Sequence, residues 1–454
     1  MNLPSYFFAD LPPEAELTPT MITEACQALK RNREKYLAAR STPSLVNLLG
    51  ELGAEWRLPD FPYRKLALEQ GPALTGFSSA TLEHGLDAFF QELTADNLEA
   101  LLVQELGEGS RLDKFAAAEA ESGARRQALA RGPELLAHVA AGNLPNPAWM
   151  SLVLGVLTRS AQFMKCASGA SYLPRLFAHS LYEMDKKLGA CLEIAEWRGG
   201  NLAVEAALFA EADCVTATGG DAALAEIRSR LPADVRFLGY GHQLSFAYIT
   251  AAAFAGGRLA NTVEQAAVDV AAWDQQGCLS PHVIYVETGG NVMPERFAAL
   301  LAEALERREA VMPRGTLSPE VAATIASRRS LYEVRSAHAP EDTKHWCSTG
   351  STAWTVVFES DPRFQPSCLN RFIYVKGVKN LTEALQAADP VQGQVSTVGL
   401  AAPAAQAAEL APELARWGVS RVCPLGKMQH PPLAWRHDGR PALGDLITWT
   451  DLEV

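Results

Sequence analysis

At 454 residues the chain is longer than one hydrophobic core organises, so two or three domains are expected. Apolar residues make up 48% and charged ones 20%, an ordinary balance for a globular protein. A formal net charge of -12 argues against a nucleic-acid partner, because phosphate binding needs clustered Lys and Arg; a small anionic ligand needs only a local patch and stays open. The first 130 or so residues read as mostly helical: CQALKRNREKYLAAR and TLEHGLDAFFQELTADNLEALLVQEL carry apolar residues three and four apart. The run KRNREK reads as a solvated helix face, and RLPDFPYRKLALEQGPALTG, broken by Pro and Gly, reads as loop.

From about residue 135 short apolar runs alternate with helical stretches. ELLAHVAAG, AQFMK, LEIAEW, DCVTAT and VRFLGY are strand candidates. PAWMSLVLGVLTRS, LPRLFAHSLYEMDKKL, NLAVEAALFAEA and DAALAEIRSRL are the helices between them. That rhythm predicts βαβ units and a parallel sheet, whose ligand loops lie at the carboxyl ends of the strands. NTVEQAAVDVAAWDQQG then reads as a helix with Asn261 as N-cap and Gly277 as C-cap. Cys278 follows at once, and HVIYVE is a strand. A second α/β segment runs to about 410, with FAALLAEALERRE helical and RFIYVKGV a strand. The tail CPLGKMQHPPLAWRHDGRPALGDLITWTDLEV reads as ordered loops ending in a strand.

No apolar run approaches the roughly 18 to 20 residues of a membrane helix; LSFAYITAAAFAGG falls short. The start, MNLPSYFFADLPPEAEL, has no basic flank and turns acidic, so no signal peptide is expected. The eight cysteines, at 26, 166, 191, 214, 278, 347, 368 and 423, form no CxxC pair. Neither a metal site nor a disulfide framework is expected, and a reducing cytoplasm is the natural setting.

Four loops carry candidate chemistry. In AGNLPNPAW, Asn143 offers a side-chain amide to a developing oxyanion, or is a turn residue. In MKCASG, Lys165 closes a strand, as a ligand or as a surface lysine. In TATGGDAALAEI, Gly219 and Gly220 let a helix N-terminus approach a phosphate, although the motif is not GxGxxG and Asp221 reads as its N-cap. In GCLSPH, Cys278 is a nucleophile or one more small buried side chain.

Together, AAGNLPNP, FMKCASG, EIAEWRGG, VTATGGDAA, DQQGCLSPHVIYVE and WRHDGRPALGDLITW resemble the aldehyde dehydrogenase superfamily, and within it the LuxC-type fatty acyl-CoA and acyl-protein thioester reductases. The resemblance runs from about residue 130 to the end and implies an α/β, aldehyde dehydrogenase-like fold. It divides the chain into a helical N-terminal region (1–130), a Rossmann-like cofactor domain (131–260), a catalytic domain (261–410) and a tail (411–454) suited to oligomerisation or site closure. By the same resemblance Cys278 is the acyl-accepting nucleophile, Asn143 and the Cys278 N–H are the oxyanion donors, Lys165 meets the adenosine ribose, and Gly219 and Gly220 lie beneath the cofactor phosphates.

Three departures refine what the resemblance implies. Where many NAD-using relatives have a ribose-binding Glu, this chain has Ser168, which removes a charge that would repel a 2′-phosphate and favours NADPH. Where the superfamily places its general-base Glu, this chain reads FLGYGHQLSF, with no acid. Water is then poorly activated, and thioester reduction is favoured over aldehyde oxidation; His242 falls there as a proton donor or a structural side chain. Finally, SCLNRF (367–372) lacks the Glu that holds the nicotinamide ribose, so that end of the cofactor is held otherwise or more loosely.

The expected activity is NADPH-dependent reduction of a fatty acyl thioester, presented as acyl-CoA or by an acyl-protein synthetase partner, in a homo-oligomeric protein. Two alternatives remain: a CoA-acylating aldehyde dehydrogenase working in the oxidative direction, and a non-catalytic scaffold. One physical difficulty stands, because a cysteine just past a helix C-terminus meets the unfavourable end of the helix dipole.

Overall fold

A computed structural model describes residues 3–12, 14–121, 123 and 125–453. The described chain divides into two compact units, one of residues 1–75, 86–241 and 432–454, the other of 76–85 and 242–431.

The amino-terminal region folds as five helices: α1 (Pro19–Tyr36), α2 (Thr42–Arg57), α3 (Pro62–Thr75), α4 (Ser79–Glu92) and α5 (Ala95–Leu106). In α1, Thr18 caps the first turn by accepting from the Met21 N–H (3.3 Å), with Pro19 at the first helical position. The helix buries Ile22, Cys26 and Leu29, spaced along one face. Helix α3 occupies the stretch that its Pro and Gly content assigns to loop. Pro62 opens the helix, where no N–H bond is lost, and Pro72 falls in its last turn, so neither breaks the middle.

The first unit centres on a five-stranded sheet. After β1 (Arg126–Arg131) come β2 (Leu135–Val139), α6 (Asn146–Leu157), β3 (Ala161–Cys166), α7 (Tyr172–Met184), α8 (Lys186–Gly189) and β4 (Leu192–Glu196). Then follow α9 (Leu202–Glu211), β5 (Cys214–Thr218), α10 (Asp221–Arg230) and β6 (Arg236–Tyr240). The spatial order is β4-β3-β2-β5-β6, all parallel, so the chain reverses its direction of build between β2 and β5. One face packs Leu135, Ala137, Phe163 and Val215 against Ile22 and Cys26 of α1 and Val204 and Leu208 of α9. Fully burying each such large aliphatic or aromatic side chain stabilises by about 1.5–3 kcal/mol. On β2 the alternate residue His138 is buried, its Nδ1 2.7 Å from Thr216 Oγ1 and its Nε2 3.0 Å from Gln162 Oε1. Burial pushes its pKa down to about 4, so it is a neutral structural imidazole.

The second unit begins before β7 (Leu244–Ile249) and continues through α11 (Leu259–Ala271), β8 (Val283–Glu287), α12 (Pro294–Val311), α13 (Pro319–His338) and β9 (Thr343–Cys347). β10 (Thr355–Glu359), β11 (Phe372–Val378), α14 (Leu381–Ala388), β12 (Val395–Ala401), α15 (Ala404–Trp417) and β13 (Arg421–Pro424) complete it. Its sheet runs β13-β12-β7-β8-β11-β10-β9, parallel except for β9. Alternation along β7 sends Ala247 and Ile249 into a core with α11 and α12, and Phe246 and Tyr248 into a core with Ile325 and Tyr332 of α13 and Leu414 of α15. The last strand, β14 (Thr448–Glu453), returns to the first unit and pairs antiparallel with β1, Arg126 opposite Glu453. No helix among the described residues is long and apolar enough to cross a membrane.

Helix α11 differs from its sequence reading at both ends. It starts at Leu259 with Arg258 as N-cap, which places Asn261 inside the first turn. It stops at Ala271 because Trp273, Asp274 and Gln275 take left-handed φ angles of 50°, 51° and 63°. Cys278 therefore lies well beyond the helix end at Ala271, and the dipole, which fades within the last turn, is not the obstacle to a thiolate that adjacency suggests.

One glycine tests the helical packing. A Cβ on Gly53 of α2 would lie 2.1 Å from the Leu93 carbonyl oxygen. Gly53→Ala is expected to destabilise the first unit by about 1–3 kcal/mol, read as a lower urea midpoint.

Candidate active site

Five of the residues singled out by sequence lie at the carboxyl edge of the five-stranded sheet. Lys165 is the penultimate residue of β3 and is only 6% exposed. Burial lowers its pKa, while Glu205, Cys166 and Glu196 act in the opposite sense. Its Nζ stands 6.0 Å from the centre of the Trp197 ring. Val139, Lys165, Trp197, Glu205, Leu208, Phe209 and Ile227 line a small, mostly apolar pocket at this edge. Within its wall the Trp197 Nε1–H is buried and makes no hydrogen bond among the described residues, an orphan donor of the kind that a bound polar group satisfies. Glu205 accepts from the Gly200 N–H (3.2 Å) and pairs with Arg230 (2.5 Å).

The neighbouring loops are open. Gly219 and Gly220 follow β5, and a Cβ on either would meet nothing within 4 Å. Gly220, not Asp221, is the N-cap of α10. Asp221 is its first residue, and its Oδ1 would lie 2.6 Å from a Cβ on Gly241. Ser168 is exposed in the loop after β3, and the next residue, Gly169, donates its N–H to Glu196 Oε1 (2.7 Å). A carboxylate therefore enters this loop from the adjacent strand β4, where the sequence, read along β3 alone, shows none. Asn143 is exposed in the loop after β2.

Cys278 and His242 belong to the other unit. Cys278 is half-buried in the turn before β8, at the amino-terminal edge of the seven-stranded sheet, the opposite kind of edge from the one that the βαβ pattern points to. Its carbonyl accepts from Ser245 Oγ on β7 (2.7 Å), and Ser245 Oγ accepts in turn from the Thr397 N–H of β12 (3.2 Å). Ser280 Oγ meets Gln429 Nε2 at 2.6 Å. His282 is buried, and its Nδ1 accepts from the Ser367 N–H (3.0 Å). Burial first, and the charge of nearby His242 second, push His282 down to about 4, so it is a neutral acceptor. His242 is exposed, two residues before β7.

Five of the remaining cysteines separate from Cys278 by burial, whereas Cys347 and Cys368 are half-buried like it. Cys26, Cys166, Cys191, Cys214 and Cys423 are buried, and burial pushes each thiol up to about 12; Cys368 is also raised, by burial first. A thiolate is the reactive form, so those six are poor nucleophiles.

Two left-handed turns lie beside the Cys278 loop. Besides residues 273–275, Leu369, Asn370 and Arg371 have φ of 62°, 56° and 65°. At about 1–2 kcal/mol per non-glycine residue, the six cost roughly 6–12 kcal/mol. What offsets that cost is a buried polar network between the turns. Arg371 Nε donates to Asp274 Oδ1 (3.0 Å), and its Nη1 donates to Glu309 Oε2 (2.7 Å) and the Met312 carbonyl (2.9 Å). Asp274 Oδ2 accepts from the Gly315 N–H (3.0 Å), and Gln275 Nε2 donates to the carbonyls of Pro281 (2.8 Å) and Phe372 (3.0 Å). SCLNRF is thus turned inward, with Ser367, Asn370 and Arg371 all buried. Glu196, Glu205, Trp197, Asp274 and Arg371 are the site residues that sequence reasoning passes over; only the left-handed geometry and the pairing across strands expose them.

This architecture is that of an aldehyde dehydrogenase-like protein. A NAD-dependent benzaldehyde dehydrogenase from Corynebacterium glutamicum matches it with a TM-score of 0.72 at 12% identity, over 97% of this chain and 90% of that one. A bifunctional proline utilization A protein matches with a TM-score of 0.70 at 15% identity over 98% of this chain; this chain spans about half (46%) of its length. The family model for acyl-CoA reductase (LuxC) matches residues 37–449, and the chain belongs to that family of acyl-reducing enzymes. It is similar to the long-chain acyl-protein thioester reductase of Aliivibrio fischeri, 23% identical over 423 residues, covering 90% of this chain and 82% of that protein. The enzyme of the same name from Photorhabdus luminescens is 23% identical over 418 residues, with the same shares covered. Fold and family imply a nicotinamide cofactor. The carboxyl edge fits one: an apolar slot with an orphan indole donor, a buried Lys–Glu combination, and two glycines with open space at a helix N-terminus beside the point where strand order reverses.

Alkylation of the folded protein with iodoacetamide is expected to modify Cys278 and the half-buried Cys347 well ahead of Cys26, Cys166, Cys191, Cys214 and Cys423, as read by peptide mass mapping. Equal labelling of the five buried thiols would contradict their placement.

Proposed function

We propose that this chain reduces a fatty acyl thioester to the aldehyde through an S-acyl intermediate on Cys278, with NADPH as reductant. The observation that carries the reading is the Cys278 turn itself: a half-buried thiol, held at a sheet edge through its own carbonyl, in a chain whose other cysteines are mostly buried deep. Family membership over residues 37–449 supports the reaction class.

In this reading the Cys278 thiolate adds to the thioester carbonyl. The tetrahedral oxyanion is met by the Cys278 N–H and the Asn143 amide, each donor worth about 3–4 kcal/mol. The carbon–sulfur bond to the carrier breaks, the carrier thiol leaves with a proton, and the acyl group stays on Cys278. A reduced nicotinamide, when bound, supplies hydride. Lys165, Glu205 and Trp197 hold the adenosine end, and Gly219 and Gly220 leave room for the diphosphate beside α10. Reduction turns the S-acyl group into a thiohemiacetal that releases aldehyde and restores the thiolate. The stretch 237–246, which joins β6 to β7, contains no Asp or Glu to activate water, and this favours hydride over hydrolysis. His242 stands in that stretch as the proton donor.

In this reading the first unit is the cofactor-binding body and the second carries the nucleophile; the division at 241/242 falls inside the 131–260 segment that the resemblance assigns, and residues 432–454 of the tail join the first unit. We place the protein in the cytoplasm as a homo-oligomer receiving acyl groups from CoA or from an acyl-protein synthetase. Light scattering and co-purification with such a synthetase test the last two points.

Incubating Cys278→Ala with radiolabelled palmitoyl-CoA is expected to leave no covalent label and to form no aldehyde; retained label would remove the assignment. For the cofactor, Ser168 favours NADPH, while Glu196 at the same loop works against a 2′-phosphate. Glu196→Gln is expected to raise NADPH affinity relative to NADH by about tenfold, on the order of 1.4 kcal/mol, followed by quenching of the intrinsic tryptophan fluorescence. Equal binding of NADH and NADPH by the unaltered chain would remove the argument from Ser168.

A further inference from the structure

We propose that Arg371 and Asp274 are positioning residues for the nucleophile: they lock the left-handed turn that precedes Cys278 to the left-handed turn that precedes β11, and so hold the Cys278 N–H and thiol in attack geometry. The inference rests on Cys278 being the acyl acceptor. It goes beyond that reading by giving a role to SCLNRF, the loop whose departure from its relatives leaves no evident use.

Three observations carry it. First, both turns hold three successive non-glycine residues at positive φ, a conformation that persists only when the surroundings over-determine it. Second, the ties converge on the segment around Cys278. Asp274 is bound from two sides, by the Arg371 guanidinium and by the Gly315 N–H. Gln275 reaches from one turn to Phe372 beyond the other and, across the Cys278 loop, to Pro281. Ser245 holds the Cys278 carbonyl from the other side. Third, the pair is sealed, with side chains 1% and 2% exposed, so no solvent competes for the guanidinium fork. A surface ion pair would not fix a backbone in this way. Arg371 also binds Glu309 and the Met312 carbonyl at the end of α12, which anchors the assembly to the core of the unit.

A rigid donor placed before the charge develops is what oxyanion stabilisation requires, and a displacement near 1 Å is enough to cost about 10²-fold. The expected effect of loosening the lock is therefore on the acylation step, in which the Cys278 sulfur–acyl bond forms, the thioester carbon–sulfur bond breaks, and CoA leaves as the free thiol.

The test is single-turnover release of CoA thiol from palmitoyl-CoA without nicotinamide, using two variants of the full-length chain. Arg371→Lys keeps the charge but loses the planar fork. Asp274→Leu with Arg371→Met removes both charges at similar volume, a replacement that buried pairs tolerate in stability. In each the acylation rate per folded molecule is expected to fall about 30- to 100-fold, with the apparent KM for palmitoyl-CoA within about twofold. The Arg371→Lys variant is expected to be slightly less impaired than the double change. A folded variant of either kind that acylates within about threefold of the unaltered chain overturns the proposal. Peptide mapping of the acylated parent separates the two readings: label on a residue other than Cys278 sinks the nucleophile assignment, whereas label on Cys278 with unimpaired variants sinks only the positioning role.

Discussion

A guanidinium buried to 1% exposure is costly unless its charge is matched, and the second unit holds one matched by two carboxylates, Asp274 and Glu309. Arg371 faces Asp274, Glu309 and a backbone carbonyl, and Asp274 faces Arg371 and a backbone N–H. Burial raises the Asp274 pKa, and the Arg371 guanidinium acts against that shift. Each half of the pair makes the other tolerable, and together they make six left-handed residues tolerable.

The carboxyl edge of the five-stranded sheet buries polar groups with a different outcome. Lys165 is buried beside Glu205 and Glu196, yet the indole N–H next to it has no partner and the slot in front of it is open. Glu205 is held by Arg230 and the Gly200 N–H, whereas the Trp197 indole N–H has no hydrogen-bond partner among the described residues. His138, deep in the same sheet with a partner for each ring nitrogen, shows the fully satisfied case.

Much of the architecture is legible from periodicity. The alternation from 135 to 240 corresponds to β2 through β6 with their helices, because strands buried on both faces read as short unbroken apolar runs. Helix α3 is not legible in this way: Pro62 and Pro72 look like breakers until their places in the first and last turns are known. β7 is hidden for a related reason, since LSFAYI is apolar enough on both faces to be weighed as part of a longer hydrophobic stretch.

The site divides along the same line. Residue types and their order single out Cys278, Asn143, Lys165, Gly219 and Gly220, because a thiol, an amide, a lysine and a glycine pair in loops between elements are local features; Ser168 and His242 enter only through the resemblance to the superfamily. Asp274, Arg371, Glu196 and Trp197 carry no such local mark. Arg371 lies 97 residues from Asp274, and Glu196 reaches the Ser168–Gly169 loop only because β3 and β4 pair in register. Chemistry that depends on residue type and spacing can be read along a chain; chemistry that depends on which buried charge finds which partner exists only after long-range strand pairing has brought the partners together.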